Sequence, residues 1–409
     1  MIGAQAIPPV LRRQIWMLFA TIFLAMIGMG IIMPILPFFA REFGASPVQM
    51  GLLITGWSLA QFLAAPFWGL LVDRLGRKPV LLTGLCGFGL TFVGMALAQS
   101  YAILLAARIA GGLLSSAVLP SAQAIAADLT PPEERGAVMG MMGAGFGLGF
   151  LVGPALGGAL ALLGPRMPFY AAAVSAGLAL PTVFRSVHEP AMDARRAATA
   201  HLGAAALVRA LQSPERPLYL MAFATTFGGS SLFSMLGYYA MDRVSASPSS
   251  VGIMFTALGL GSVVTQGFLV GPITRRWGEV PGIRLGFLGG TLGFIALSWA
   301  ASVFLITVAV LVTSTAMALL RPALAALNSR RTTLGYGTSL GMQTAFDSLG
   351  RTLGPLWAGS VYDVARAGPF LAAAGVYLVA GLATLRLTDD AAARGAPPPL
   401  AEPMEPPAS

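Results

Sequence analysis

Charge is what this chain has least of. Asp, Glu, Lys and Arg make up 10% of its 409 residues, where a water-soluble domain carries about 25%. Most of its surface therefore cannot face water. Cysteine is almost missing: Cys86 alone excludes an internal disulfide and a cysteine-built metal site. The two histidines, His188 and His201, share one polar stretch and read as solvated side chains rather than ligands. Of 25 basic residues only Lys78 is not arginine, a bias that suggests a GC-rich bacterial genome. No GxxxxGK[ST] phosphate loop occurs, which argues against direct use of ATP. The strict alternation over segments of about 10 residues that marks a membrane β-barrel is missing too.

What the chain has is apolar length, 56% of its residues being hydrophobic. Runs of about 20 apolar residues recur, each long enough at about 1.5 Å per residue to cross a hydrocarbon core of about 30 Å. Charges, Pro/Gly clusters and polar turns divide them into twelve predicted helices: 15–39, 47–71, 79–98, 101–127, 136–162, 168–186, 217–240, 249–270, 282–299, 301–327, 334–361 and 367–386. The first run exceeds the core of a signal peptide and has no clear cleavage site, so it reads as a retained helix. The expected organisation is a short N-terminus (1–14), six spans (15–186), a polar linker (187–216), six more spans (217–386) and a Pro/Ala-rich, disordered tail (387–409).

Arginine placement orients the spans. With a cytoplasmic N-terminus, 18 of the 25 basic residues fall on the cytoplasmic side and 4 on the other, while Arg108, Arg321 and Arg351 lie within spans. Both termini are expected in the cytoplasm. The formal charge of +9 is then a signature of topology rather than of nucleic-acid binding.

The chain also repeats itself at an offset of about 201 residues. SPVQMG (46–51) matches SPSSVG (247–252), GLLVDRLG (69–76) matches GPITRRWG (271–278), and Pro120 matches Pro322. The fifth and eleventh spans match best, GMMGAGFGLGFLVGPALGG (140–158) against GMQTAFDSLGRTLGPLWAG (341–359). A six-span unit used twice implies two similar bundles facing each other across a cavity, as in secondary transporters.

GLLVDRLGRKP, with Gly69, Asp73, Arg74, Gly76, Arg77 and Lys78, resembles the signature loop of the major facilitator superfamily. Gly140, Gly149, Gly153, Pro154, Gly157 and Gly158 resemble its antiporter motif, and LLAARIAGG around Arg108 resembles its fourth-helix motif. The resemblance spans roughly residues 15–386 and is strongest to the twelve-span drug/proton antiporters, which include tetracycline and multidrug exporters. It implies an all-α membrane protein of two pseudo-symmetric six-helix bundles, working by alternating access in the bacterial cytoplasmic membrane as a monomer. Protons would drive it and no cofactor would be needed. In the family the loop cluster latches the cytoplasmic side; here Asp128 and Glu134 would be the acids that meet it. Gly69 would let helices approach, and Gly76 would permit a tight turn.

Charges inside spans are the next candidates, because an ion at mid-bilayer costs a few kcal/mol. Asp347 is the only acid deep in any span, about 20 Å along the eleventh, with Arg351 one turn further on. The pair reads either as a proton-coupling site or as a permanent structural ion pair. The resemblance adds Arg108 as a coupling or binding residue, while Arg321 either lines the cavity or snorkels toward the cytoplasm. Residues 15–39 contain no acid at the place where several drug exporters have one, and three buried arginines outnumber one buried acid. That balance suits neutral, zwitterionic or anionic amphiphiles better than dications. Phe23, Met26, Met29, Trp57 and Gln61 are candidate cavity residues in the first half, together with Gln123. Phe227, Tyr238, Tyr239 and Gln266 are their counterparts in the second. The expected function is proton-driven export of small amphiphilic, drug-like molecules, with export of one narrow metabolite (a sugar, siderophore or amino-acid derivative) as the alternative. A membrane enzyme or sensor would need a nucleophile, a metal cluster or a soluble domain, and the sequence offers none of these.

Overall fold

A computed structural model describes residues 9–131, 134–186, 212–332 and 336–387, and every regular element among them is helical. Most of the expected linker, both histidines and the tail beyond Leu387 lie outside the described residues. The first span is α1 (Pro9–Ile32) followed by the short α2 (Leu36–Glu42), the break falling at Pro34, which has no N–H to donate. Next come α3 (Pro47–Leu75), α4 (Arg77–Ala96), and a fourth span divided into α5 (Tyr101–Ser115) and α6 (Val118–Asp128). The division lies one turn before Pro120, whose ring opposes the carbonyl of residue 116. The helices α7 (Arg135–Leu160) and α8 (Met167–Ser186) complete the first half. The second half runs α9 (Arg216–Val244), α10 (Pro248–Val264), a π-helical turn (Thr265–Leu269), α11 (Val270–Trp277), α12 (Glu279–Trp299), α13 (Val303–Arg331), α14 (Tyr336–Val364) and α15 (Gly368–Ala383).

Eleven spans among the described residues are long and apolar enough to cross a membrane. The remaining one, α14, has 29 residues but is more polar, since it carries Gln343, Asp347 and Arg351. Together they make the twelve expected crossings. Helices outlast the apolar runs: α3 continues through Asp73 and Arg74, and α11 through Arg275 and Arg276. Charged residues are good helix formers, so they mark the water boundary and not the helix end. The ends are set by Gly76 and Gly278, both at φ 92°, a backbone region L side chains avoid. The starts are set by serine caps. Ser46 and Gln49 form a reciprocal capping box, and Ser247, Ser100 and Ser302 each accept a hydrogen bond from the backbone N–H three residues on.

Glycine faces fix the packing. Gly149, Gly153 and Gly157, four residues apart, share the face of α7 that touches α1; a Cβ there would meet the carbonyls of Phe23, Ile27 and Ile31. Another face of α7 meets the opposite half, where a Cβ on Gly252 of α10 would meet the Pro154 carbonyl and one on Gly158 would meet Ser249. The second half repeats this pattern. Gly350 and Gly354 of α14 touch α9 at the carbonyls of Phe223 and Phe227, while the Pro355 carbonyl faces Gly51 of α3 and Gly359 faces Pro47.

These inter-half contacts all gather at the end remote from the chain termini. The largest buried apolar cluster joins both halves there, with Phe39, Phe92 and Phe169 from one and Tyr238 and Phe255 from the other, and continues toward the termini through the second half alone, by way of Leu218, Val280 and Leu327. Toward the termini the buried clusters are separate: Ile15, Leu18 and Val138 belong to the first half alone, and Tyr219, Met342 and Phe346 to the second. The molecule is sealed at one end and divided at the other.

Gly157→Leu is expected to destroy folding, since its side chain would overlap the Ile31 backbone; the monodisperse fraction in detergent reads this. Gly143→Ala, with nothing within 4 Å of the new Cβ, is expected to keep that fraction unchanged and raise thermal stability by up to about 1 kcal/mol through helix propensity.

Candidate functional site

At the sealed end an ion pair joins the two halves. Arg41 of α2 donates from Nη1 and Nη2 to the two carboxylate oxygens of Asp242 on α9, at 2.8 and 3.2 Å. Tyr362 of α14 donates to the same carboxylate at 2.9 Å, and Arg366 donates to the Asp242 carbonyl at 3.3 Å. The Arg41 guanidinium stands 4.5 Å from the centre of the Tyr238 ring, and the Tyr238 hydroxyl donates to the Ala45 carbonyl at 2.8 Å. Hydrogen bonding to Asp242 raises the proton affinity of Arg41, so it stays charged. Arg41 and Asp242 are 201 residues apart, the offset of the repeat. They are mates in the internal symmetry, and residues near a pseudo-two-fold axis meet their own mates. This pair was missed in the sequence, although opposite charges at the repeat offset were a usable signal.

At the divided end the expected latch is only partly assembled. Arg77 pairs with Asp128 and donates to the Ala124 carbonyl at 3.2 Å, all within the first half. Lys78 donates to the Phe184 carbonyl of α8 at 2.9 Å. Arg74 is exposed, and the side chain of Asp73 lies outside the described residues. Glu134 precedes α7 and, among the described residues, forms no ion pair with the cluster; its Oε2 is buried with no hydrogen-bond partner among them. Among the described residues, nothing stands within 4 Å of a Cβ built on Gly69 or on Gly140. Close helix approach at Gly69 is therefore not found here, because the halves are apart at this level.

Midway along the spans, Asp347 pairs with Arg321 of α13 at 3.5 Å instead of with Arg351. Asp347 is 5% exposed at its side chain and Arg321 65%. The exposure of Arg321 faces the interior. Ser314, Met317 and Arg321 share one face of α13, and Ser314 and Met317 touch Gly261 of α10 and Gly229 of α9. Arg351 has no ion pair or hydrogen bond among the described residues. An aromatic seam follows the contact of α9 with α14 from the level of the acid outward: Tyr219 stacks on Phe346 (5.7 Å), Phe223 stacks on Phe227 (5.5 Å), and Phe227 meets Trp357 (5.2 Å). Phe227, an expected cavity residue, is half-buried in this seam.

Other expected cavity residues separate. Arg108 is 1% exposed, wedged between α5 and α3, with Nε 3.4 Å from the Leu53 carbonyl and its guanidinium 5.6 Å from the Trp57 ring centre. Its two Nη atoms and Trp57 Nε1 lack hydrogen-bond partners among the described residues. It is buried in the first bundle and does not line the opening in this state. Tyr238 and Tyr239 are also buried; the first serves the seal, and the second donates to the Leu297 and Ser298 carbonyls of α12. Met29 is buried, whereas Phe23, Met26, Gln61 and Gln123 are half-buried. Gln266 is exposed in the π-turn and donates to Ser262 at 2.8 Å.

Two similar six-span halves, touching at one end and parted at the other around a central ion pair, define a secondary transporter. The family model described as Major Facilitator Superfamily matches residues 18–242 and again 218–408. The chain belongs to that superfamily and, as such, is a multi-pass membrane transporter of small molecules and not an enzyme. It is 31% identical over 373 residues to Multidrug resistance protein 2 of Bacillus subtilis, covering 89% of this chain and 92% of that one. It is 27% identical to the Quinolone resistance protein NorA of Staphylococcus aureus, covering 90% and 95%. Among solved structures, the human organic anion transporter MFSD10 (TETRAN) is 26% identical with a TM-score of 0.66, over 92% of this chain and 100% of that one.

Asp242→Asn, which weakens the pair across the seal, is expected to open the sealed end. A part-exposed pair of this kind contributes up to about 1 kcal/mol, so the open population should rise about five-fold. Spin labels at Gln99 and Ala301, exposed loop residues of opposite halves at this end, would report a longer distance; an unchanged distribution would show that the glycine contacts alone hold the seal.

Proposed function

We propose that this protein exports small amphiphilic, drug-like molecules by proton antiport through alternating access. The observation that carries this reading is the arrangement of the halves around the mid-span charges. Asp347 lies about 17 Å and Arg321 about 15 Å from the terminus-side ends of their helices, so both sit near the centre of a bilayer where an ion is retained only for use. With the termini cytoplasmic, as arginine placement indicates, the sealed end is external and the described conformation faces inward. Outward opening would separate the glycine contacts of α7 with α10 and of α14 with α3, and the Arg41–Asp242 pair. The cluster at Gly69–Lys78 would then close the cytoplasmic side. The relatives named for multidrug and quinolone resistance support drug-like substrates and export.

The driving ion is the proton, bound and released by Asp347, and no cofactor takes part. Arg321 pairs with the Asp347 carboxylate; protonation breaks that pair and changes how α13 meets α14. Arg108 serves as a positioning charge under the first bundle's half of the site. The transporter works as a monomer in the bacterial cytoplasmic membrane, because each chain contains both halves of the pathway.

The test is substrate-induced proton movement in everted vesicles, read with a pH-sensitive dye as each of a panel of amphiphiles is added. The wild type is expected to dissipate an imposed gradient and Asp347→Asn is expected not to, with equal amounts of folded protein in the membrane. Equal responses would make Asp347 structural. Silence of the wild type across the panel would favour the narrow-metabolite exporter.

A further inference from the structure

Two properties of the mid-span site pull toward opposite charges on the ligand. The first is its excess of guanidinium. Arg321 and Arg351 stand against the single carboxylate of Asp347, and the nearest approach is Nε of Arg321 at 3.5 Å. A guanidinium has five N–H donors, so most of those at the site are unspent. A cation this deep and without a full counter-charge favours a ligand that brings an anion.

The second property is the requirement of exchange. A proton and a substrate exclude each other directly when they compete for one group, and Asp347 is the group there that can take up a proton. The groups that face it are Arg321 from α13 and Arg351 on its own helix. Along α14, α9 contributes Phe223, Thr226, Phe227 and Ser230, with Tyr219 beside Phe346 as its titratable group. The stretch of α3 against α14 contributes Gly51 and Thr55, which do not titrate. A purely anionic substrate would be favoured, not expelled, by protonation of Asp347. A ligand that a proton displaces must place positive charge against that carboxylate. The 3.5 Å separation from Arg321 is longer than the ~2.8 Å of a strong charge-assisted hydrogen bond, so the carboxylate can exchange partners.

We propose that the site selects zwitterionic aromatic amphiphiles: the arginines hold the substrate carboxylate, Asp347 holds its ammonium group, and the seam of Phe223, Phe227 and Trp357 takes the ring. The substrate inserts into the Arg321–Asp347 pair and replaces each half of it. This rests on the exporter reading above and deepens it by naming the charge pattern of the cargo.

The test uses four compounds on one aryl scaffold, bearing a carboxylate, a primary amine, both groups or neither, titrated into purified full-length protein in nanodiscs. The zwitterion is expected to bind tightest and the carboxylate next, each charge improving affinity by about ten-fold. Arg321→Gln should remove the advantage of the carboxylate over the uncharged compound, and Arg321→Lys should restore part of it. Asp347→Asn should abolish the advantage of the zwitterion over the carboxylate while the carboxylate itself binds as tightly or tighter, a result an unfolded variant cannot give. Acidification should weaken zwitterion binding in wild type and not in Asp347→Asn. The proposal is overturned if the amine-only compound binds tightest, or if the ranking survives Arg321→Gln. Charge-blind binding of all four overturns this proposal alone, whereas binding of none overturns the amphiphile-exporter reading with it.

Discussion

Close backbone contact between helices is the constraint on which the rest of this structure depends. Lipid tails are as apolar as leucine, so no hydrophobic force separates helix from lipid inside a bilayer; association depends on packing and on polar contacts. Gly149, Gly153 and Gly157 let α7 seat directly on α1. On adjoining faces of the same helix, Pro154 and Gly158 meet the opposite half. One helix thus builds its own bundle and half of the seal, and α14 does the same work by symmetry. A contact of this kind is made or broken as a whole, because backbone surfaces that fit within van der Waals distance have no partly fitted position. That suits an element with two states.

Charges then distribute over this scaffold according to how much water reaches them. At the sealed end, Arg41 and Asp242 are part-exposed and joined bidentately, a geometry that adds register more than energy. At mid-depth the same two residue types behave differently: Asp347 is almost enclosed and Arg321 is open to the interior. Arg108 lies in the first bundle with donors unspent, where an uncompensated cation is costly. The first of these sites lies at the closed end and the second at mid-depth between α13 and α14, while Arg108 is enclosed within one bundle.

Sequence reasoning reached the spans, the repeat and the glycine faces because each is a local or periodic property. Apolar length is readable residue by residue, and a glycine every fourth position is one face of a helix in any fold. It placed helix ends too early where charges followed an apolar run, as at Asp73 and Arg276, because the charge marks the water boundary while a glycine at φ 92° ends the helix. It paired Asp347 with Arg351 because i and i+4 are neighbours on a helix. The nearer partner was Arg321, on another helix, which no spacing rule could supply. Tyr238 and Tyr239 were read as cavity residues from their type alone, yet both hydroxyls are used to close structure.

The sequence by itself determined that this chain crosses a membrane twelve times in two related halves, because both facts follow from the length and repetition of its apolar runs. Its arginines determined the orientation to be expected. Tertiary structure decided which charges meet, which end is sealed and which glycines carry the seal. Those outcomes depend on rotation about helix axes and on the approach of segments about 200 residues apart. The Arg41–Asp242 pair shows both sides: its charges and its offset were in the sequence, but only the packing of two halves about their common axis brought the mates together.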